Sequence, residues 1–184
     1  MRHPRRRGGA GIRYLIDRRT FLAGGLGLLL APRALARSES GSLERALEDS
    51  GFVYISPLLA DGRESSCHGE VWFGWLDGSV VITTGSERWK ARALERGLDR
   101  ARIWVGDHGP WKKVVGRNEA FRQAPSLEAR AEAVKDEALH ERLLAVYARK
   151  YPAEIGKWRD RMRQGHADGT RTMIRYTQTQ RTQR

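Results

Sequence analysis

Alternating hydrophobic and polar positions dominate the chain from residue 52 onward. Residues 52–59 (FVYISPLL) and 65–76 (SSCHGEVWFGWL) have the alternation typical of half-buried strands, and Asp61-Gly62 between them favours a tight turn. Asp77-Gly78 predicts a second turn, which leads into a β-branched run at 80–82. We therefore expect a meander of three antiparallel strands.

The two faces of the second predicted strand differ in chemistry, because successive side chains of a strand point to opposite sides. One face is apolar and predicts core positions at Cys67, Val71, Phe73 and Trp75. The other combines a histidine, a carboxylate and a large aromatic ring, and consists of His68, Glu70, Trp72 and Gly74. This second face suits the wall of a site or a subunit interface.

Helical spacing marks four further stretches. Residues 42–50 predict a short amphipathic helix, and Ser86 predicts the N-cap of a helix that Gly97 ends. A long helix is expected from Ser126 to about residue 151, followed by another from Pro152 to Arg163 and a loop around Gly165 and Gly169. Strands are expected at 100–105, 111–115 and 172–179.

This order of elements predicts a mainly β chain with accessory α-helices, in the α+β class. The first 36 residues are set apart from it. Arg18-Arg19 is a twin-arginine pair followed by Phe-Leu, then by a short apolar run and by Ala34-Leu35-Ala36 as a cleavage site. Because Pro32 and Arg33 end the apolar run at about half the length of a membrane span, it predicts a signal peptide rather than a transmembrane helix.

The predicted organisation is a twin-arginine signal peptide at 1–36 and one domain at 37–184, exported to the periplasm by the twin-arginine machinery with no membrane span after cleavage. Of the net charge of +12, the leader carries +7, so the domain retains a mild +5 that gives little support to nucleic-acid binding. Cys67 is the single cysteine, which excludes an intramolecular disulfide and a cysteine-rich zinc site. No metal site is predicted.

The stretch from Val80 to Gly97 combines a strand, a turn and a basic helical segment. Backbone N–H groups at a helix start attract anions, and hydroxyl and basic side chains there supply further donors: Thr83, Thr84, Arg88 and Lys90. A phosphate is the first ligand to test. The alternative is a simple strand-to-helix connection whose basic side chains face water.

A strand ending in VWFGW, the turn at Asp77-Gly78, and VITTGSERWKARALERG followed by ARIWV together resemble the pyridoxamine 5′-phosphate oxidase-like, FMN-binding split-barrel superfamily. The resemblance implies an antiparallel split β-barrel and a homodimer with FMN at the subunit interface. It also implies a redox reaction on a small-molecule substrate. The chain lacks the arginine-rich strand and downstream substrate motifs of authentic pyridoxamine phosphate oxidases, which argues against vitamin B6 as that substrate.

Carried over by residue, the resemblance implies phosphate contacts from Thr84 and Lys90, with Arg88 and Arg92 as neighbours. Trp72 and His68 would flank the isoalloxazine, and His68 would be the catalytic residue that exchanges protons with it. Three alternatives stay open. They are a deazaflavin-dependent reductase on the same barrel, a non-enzymatic haem or flavin carrier, and an interaction module without any cofactor. In the haem case His68 and His108 are the candidate ligands.

Overall fold

Seven antiparallel strands and four α-helices make up the computed structural model of the protein, which describes residues 41–110 and 118–179. The strands are β1 (Phe52–Pro57), β2 (Gly69–Trp72), β3 (Gly74–Leu76), β4 (Ser79–Gly85), β5 (Arg100–Val105), β6 (Ser126–Val134) and β7 (Arg171–Gln178). The helices are α1 (41–49), α2 (Trp89–Glu95), α3 (Glu137–Lys150) and α4 (Arg159–Asp168), with 3₁₀ turns at Ala120–Gln123 and Ile155–Lys157.

The strands form one sheet in the order β2-β1-β5-β6-β7-β4-β3. The two edge strands, β2 and β3, are consecutive in the chain and are separated only by Phe73. The sheet therefore curls until its two edges meet along one continuous segment. The result is a nearly closed antiparallel barrel, which confirms the predicted split-barrel architecture.

Both predicted turns are present. Asp77 and Gly78 have φ angles of 51° and 70°, the pair of positive values that a two-residue hairpin with the right strand twist requires. They connect β3 to β4, whose register pairs Leu76 with Ser79. The turn at Asp61-Gly62 lies in the connection from β1 to β2, and β1 ends at Pro57, two residues before the predicted end.

The barrel interior is apolar and continuous. Alternate residues of the strands fill it, and α1 adds the fully buried Leu47. A second apolar cluster lies between the outer face of β4 and the helices α3 and α4, where Val81 meets Leu143, Tyr147 and Met162. The helices thus cover one side of the barrel.

Residues 65–76 differ from the single strand that the sequence predicted. The chain breaks at Phe73, so β2 pairs with β1 while β3 pairs with β4. Val71, Phe73 and Trp75 face or adjoin the barrel core as expected, but Cys67 is exposed because it precedes β2. The prediction of a core position for Cys67 was wrong.

The predicted long helix from Ser126 was wrong over its first nine residues. Residues 126–134 form β6 between β5 and β7, and their burial alternates strictly at Leu127, Ala129 and Ala131. The helix α3 starts only at Glu137, where the Asp136 carboxylate accepts a hydrogen bond of 2.9 Å from the backbone N–H of Leu139.

The C-terminal helices also start later than predicted. The segment after Pro152 forms a 3₁₀ turn before α4 begins at Arg159, and Gly165 lies inside α4 rather than in a loop. Gly169 ends α4 with a φ of 81°. The predicted signal peptide and the predicted strand at 111–115 lie outside the described residues. Within the described ranges no helix is long and apolar enough to cross a membrane.

Candidate functional site

Lys90 is the most unusual cation of the candidate site. Its ammonium lies 4.3 Å from the centroid of the Trp89 ring, and a Cβ atom built on Gly69 would approach its Nζ to 3.3 Å. Burial and the charge of the neighbouring Arg88 lower the pKa of Lys90 from 10.5 to about 8. In the described part of the chain no carboxylate forms an ion pair with it. A positive charge that is desolvated and not neutralised fits an anionic ligand.

The turn before α2 differs from the predicted one. Ser86 is not the N-cap, since α2 begins at Trp89 after Arg88 and has no side-chain cap. The Ser86 hydroxyl instead donates to the carbonyl of Gly169 at 2.7 Å and lies 2.9 Å from Thr172 Oγ1. Because α2 has only seven residues, the anion-binding capacity of this region comes from its side chains rather than from a helix end.

An open cavity of about 310 Å³ lies beside α2. Arg92 is on its wall together with Trp89, whose ring contacts the Lys90 ammonium, whereas Lys90 itself does not line the cavity. The remaining lining comes from the end of β1, from the segment before β2, and from α2 and the residues that flank it: Pro57, Ser65, Cys67, Glu87, Ala93, Arg96 and Leu98. Arg88 is exposed and pairs with Glu87 at 3.0 Å.

Thr84 is buried near the end of β4, opposite Thr172 of β7. Strand alternation places its side chain on the same side as Val80 and Ile82, which belong to the barrel interior. The neighbouring Thr83 points to the other side, where it accepts a hydrogen bond of 3.3 Å from Arg171. The two threonines of the predicted site therefore face opposite sides of the sheet.

Trp72 and His68 lie on the other side of β2 from Lys90. The Trp72 ring stacks on Tyr151, with centroids 4.2 Å apart. The His68 side chain is almost fully buried, with Nδ1 4.0 Å from Glu64 and its ring centroid 6.2 Å from that of Phe121. Since Gly69 faces Lys90, alternation directs Trp72 away from it. One chain alone does not bring Trp72 and Lys90 to the same surface.

Two residues of this region were not singled out from the sequence. Trp89 borders the cavity, and its ring contacts the Lys90 ammonium. Because Gly69 has no side chain, the ends of the Trp89 and Lys90 side chains can lie against it. A Cβ atom at residue 69 would lie 3.1 Å from Trp89 Cζ2. The sequence signal was the glycine inside a predicted strand, which often marks a close approach of another group.

The alternative haem ligands, His68 and His108, lie beside the stacked rings of Phe121 and Tyr54, respectively. His108 lies with Tyr54, with ring centroids 6.0 Å apart, and the Tyr54 hydroxyl accepts a hydrogen bond from the His108 backbone N–H. Across residues 41–110 and 118–179 no group of three or more histidine, cysteine, aspartate or glutamate side chains is arranged to hold a metal ion.

Similar solved structures show the same architecture. A conserved hypothetical protein from Mycobacterium tuberculosis is 15% identical and matches with a TM-score of 0.51, over 76% of this chain and 80% of that one. The fold is the split barrel of pyridoxamine 5′-phosphate oxidase-like proteins. The resemblance stated from the sequence is thereby confirmed for the fold.

Two other split barrels are similar at lower scores. HutZ, the haem storage protein from Vibrio cholerae, is 14% identical over 76% of this chain and 89% of its own, with a TM-score of 0.49. A FAD-binding protein from Mesorhizobium loti is 14% identical over 77% of this chain and 90% of its own, with a TM-score of 0.47. No protein-family model matches the chain, and no curated protein matches it by sequence.

Proposed function

We propose that this split barrel binds FMN and acts as an exported oxidoreductase on a small molecule. The observation that carries the proposal is the desolvated ammonium of Lys90, which has Arg88 as a neighbouring like charge and Arg92 on the adjacent cavity wall. These three cations fit a phosphate better than a neutral ligand, because each can donate a charge-assisted hydrogen bond to it.

In this proposal the chain's own residues hold and orient the cofactor. Lys90 and Arg92 bind the phosphate from the α2 side, and the Trp89 ring limits the access of water to the Lys90 ammonium. When bound, FMN supplies the redox chemistry, whereas the protein contributes position and electrostatics. Thr84 and Arg88 remain proposed phosphate neighbours.

His68 and Trp72 enter the proposal through a homodimer. Because they lie across β2 from Lys90, a flavin that contacts Lys90 of one subunit meets these two residues only if a second copy supplies them. We therefore propose a dimer with the flavin between subunits, in which His68 exchanges protons with the ring. Sedimentation with and without FMN tests this arrangement, and a monomer in both conditions contradicts it.

The absorption spectrum of the protein purified after export tests the cofactor. The proposal predicts the two visible bands of an oxidised flavin, or their appearance with a stoichiometric bound fraction after FMN is added. A Soret band would indicate that the cofactor is haem and not FMN, and the absorption bands of a deazaflavin would indicate the deazaflavin-dependent reductase. A colourless protein that takes up none of the three contradicts the proposal.

A further inference from the structure

Two histidines that the proposed site does not use form a buried contact between α3 and α4. The rings of His140 and His166 stack with centroids 4.2 Å apart and planes 10° from parallel. Their residues are only 2% and 7% exposed. The Nε2 atom of neither ring has a hydrogen-bond partner among the described residues. A proton added to Nε2 would therefore become a buried donor without an acceptor, which is costly.

The charged groups around this pair give little compensation for an added proton. Glu141 on α3 is the nearby carboxylate, but it already accepts two hydrogen bonds, of 2.7 and 2.8 Å, from Arg163 of α4. Arg171 of β7 adds a further positive charge. Burial first, then the proximity of His166, lowers the pKa of His140 from 6.5 to about 4. Protonation therefore favours the separation of α4 from α3.

A chain of contacts connects α4 to the candidate site. The residues that follow α4 hold the turn before α2, since the Ser86 N–H donates to the Thr170 carbonyl at 2.9 Å and its hydroxyl donates to the Gly169 carbonyl at 2.7 Å. Arg88 and Lys90 follow directly after this turn. Because Gly169 ends α4, a movement of α4 displaces the acceptor of the Ser86 hydroxyl and loosens the turn that carries these cations.

We propose that the His140–His166 stack is an acid-sensitive contact that docks α4 and, through Ser86, regulates the anion site at Lys90. The regulatory part rests on the proposed function, whereas the docking part stands on the stack itself. Acidification shifts α4 toward the undocked state and thereby lowers the affinity for the phosphate-bearing ligand.

Amide hydrogen exchange of residues 159–168 tests the docking part without any ligand. Corrected for the intrinsic exchange rate, the opening equilibrium of α4 is expected to rise about thirtyfold between pH 7.5 and 5.0, because one histidine shifts from a pKa of 6.5 to about 4 on docking. In a His140→Phe/His166→Phe variant, which keeps two stacked rings, we expect no such rise. Unchanged exchange in the wild type overturns the proposal.

FMN affinity at the same two pH values tests the regulatory part. The ligand phosphate itself titrates near pH 6, so the double variant supplies the baseline for that effect. Between pH 7.5 and 5.0 the wild type is expected to lose more FMN affinity than the double variant. Ser86→Ala is expected to keep the acid opening of α4 but to lose only as much FMN affinity as the double variant. Equal losses in all three proteins overturn the regulation. If the double variant does not fold, Ser86→Ala against wild type decides the same question.

The two proposals fail in different ways. If FMN binds at no pH, the proposed function and its regulation are both contradicted, while the exchange data still judge the docking of α4. If acidification lowers the FMN affinity of Ser86→Ala as much as that of the wild type, the connection from α4 through Ser86 is wrong and the proposed function stands.

Discussion

The indole of Trp72 lies flat on the phenol ring of Tyr151, with planes 9° from parallel. The Tyr151 hydroxyl also donates to the carbonyl of Gly51 and accepts a hydrogen bond of 3.4 Å from the backbone N–H of Phe73. One tyrosine at the end of α3 thus holds the start of β1 and the break between β2 and β3. The barrel closes where this contact is made.

Tyr151→Leu is therefore expected to lower the free energy of unfolding by about 2 to 4 kcal/mol, since it removes a stacked aromatic pair and leaves two backbone groups without their partner. Urea unfolding followed by circular dichroism measures the change. Trp158→Leu is the matched control, because Trp158 is 40% exposed and its loss should cost about 0.5 kcal/mol or less. Equal effects of the two substitutions would contradict the role of Tyr151.

Turn residues made much of the fold predictable from the sequence. The two-residue turn at Asp77-Gly78 allows one short hairpin geometry, so the pairing of β3 with β4 followed directly. Asp61-Gly62 indicated the pairing of β1 with β2, although the connection there is longer. Gly97, with a φ of 76°, ends α2 as expected. Such local rules do not depend on the rest of the chain.

Residues 126–134 show why the remainder was missed. The segment SLEARAEAV is rich in helix-forming residues, but Leu127, Ala129 and Ala131 also recur at every second position. Pairing with β5 and β7 on both sides outweighs the local propensity. In the candidate site, Lys90 was predicted from the sequence as a phosphate contact and stays a prediction, whereas its approach to Gly69 depends on how β2 packs against α2.

The corrected start of α3 predicts a specific loss of stability. Asp136→Ala removes the carboxylate that caps the helix at Leu139, and we expect the free energy of unfolding to fall by about 1 kcal/mol. Ser126→Ala is the control, since the sequence predicted the start of this helix at Ser126, which is exposed in β6. Thermal unfolding distinguishes the two. A larger effect at Ser126 would contradict the observed helix start.

Stability is also expected to depend on alkaline pH. The Nζ of Lys150 donates to the carbonyl of Ser50 at 2.8 Å and lies 3.9 Å from the Phe73 centroid, and burial lowers its pKa from 10.5 to about 8, as for Lys90. Because the unfolded chain keeps these protons to higher pH, the free energy of unfolding should rise between pH 8 and 10.

The rise ends near pH 10. Burial raises the pKa of the Tyr147 and Tyr176 hydroxyls above 10, so the folded chain keeps these protons to higher pH than the unfolded chain. Above pH 10 the free energy of unfolding should therefore fall. Urea unfolding at several pH values measures the profile. Lys150→Met should reduce the slope, while Lys157→Met, at an exposed position, should leave it unchanged. A profile that is flat from pH 8 to 10 in the wild type would contradict this account of the two lysines.

Export is expected to remove the predicted signal peptide after Ala36. Mass spectrometry of the periplasmic protein should give a mature chain that begins at Arg37 and carries a net charge of +5. Arg18→Lys/Arg19→Lys should keep the protein in the cytoplasm at full length. Periplasmic accumulation of that variant would contradict the twin-arginine route.

The dissociation constant of FMN for Lys90→Met, compared with wild type and with Lys157→Met at pH 7, tests whether Lys90 holds the FMN phosphate. Removing the charge-assisted contact is expected to raise the dissociation constant about 10- to 100-fold, whereas Lys157→Met should bind as the wild type does. In the wild type, affinity should also fall above pH 8 as the Lys90 ammonium loses its proton. Equal FMN affinity in Lys90→Met and wild type would contradict the assignment of the phosphate site to Lys90.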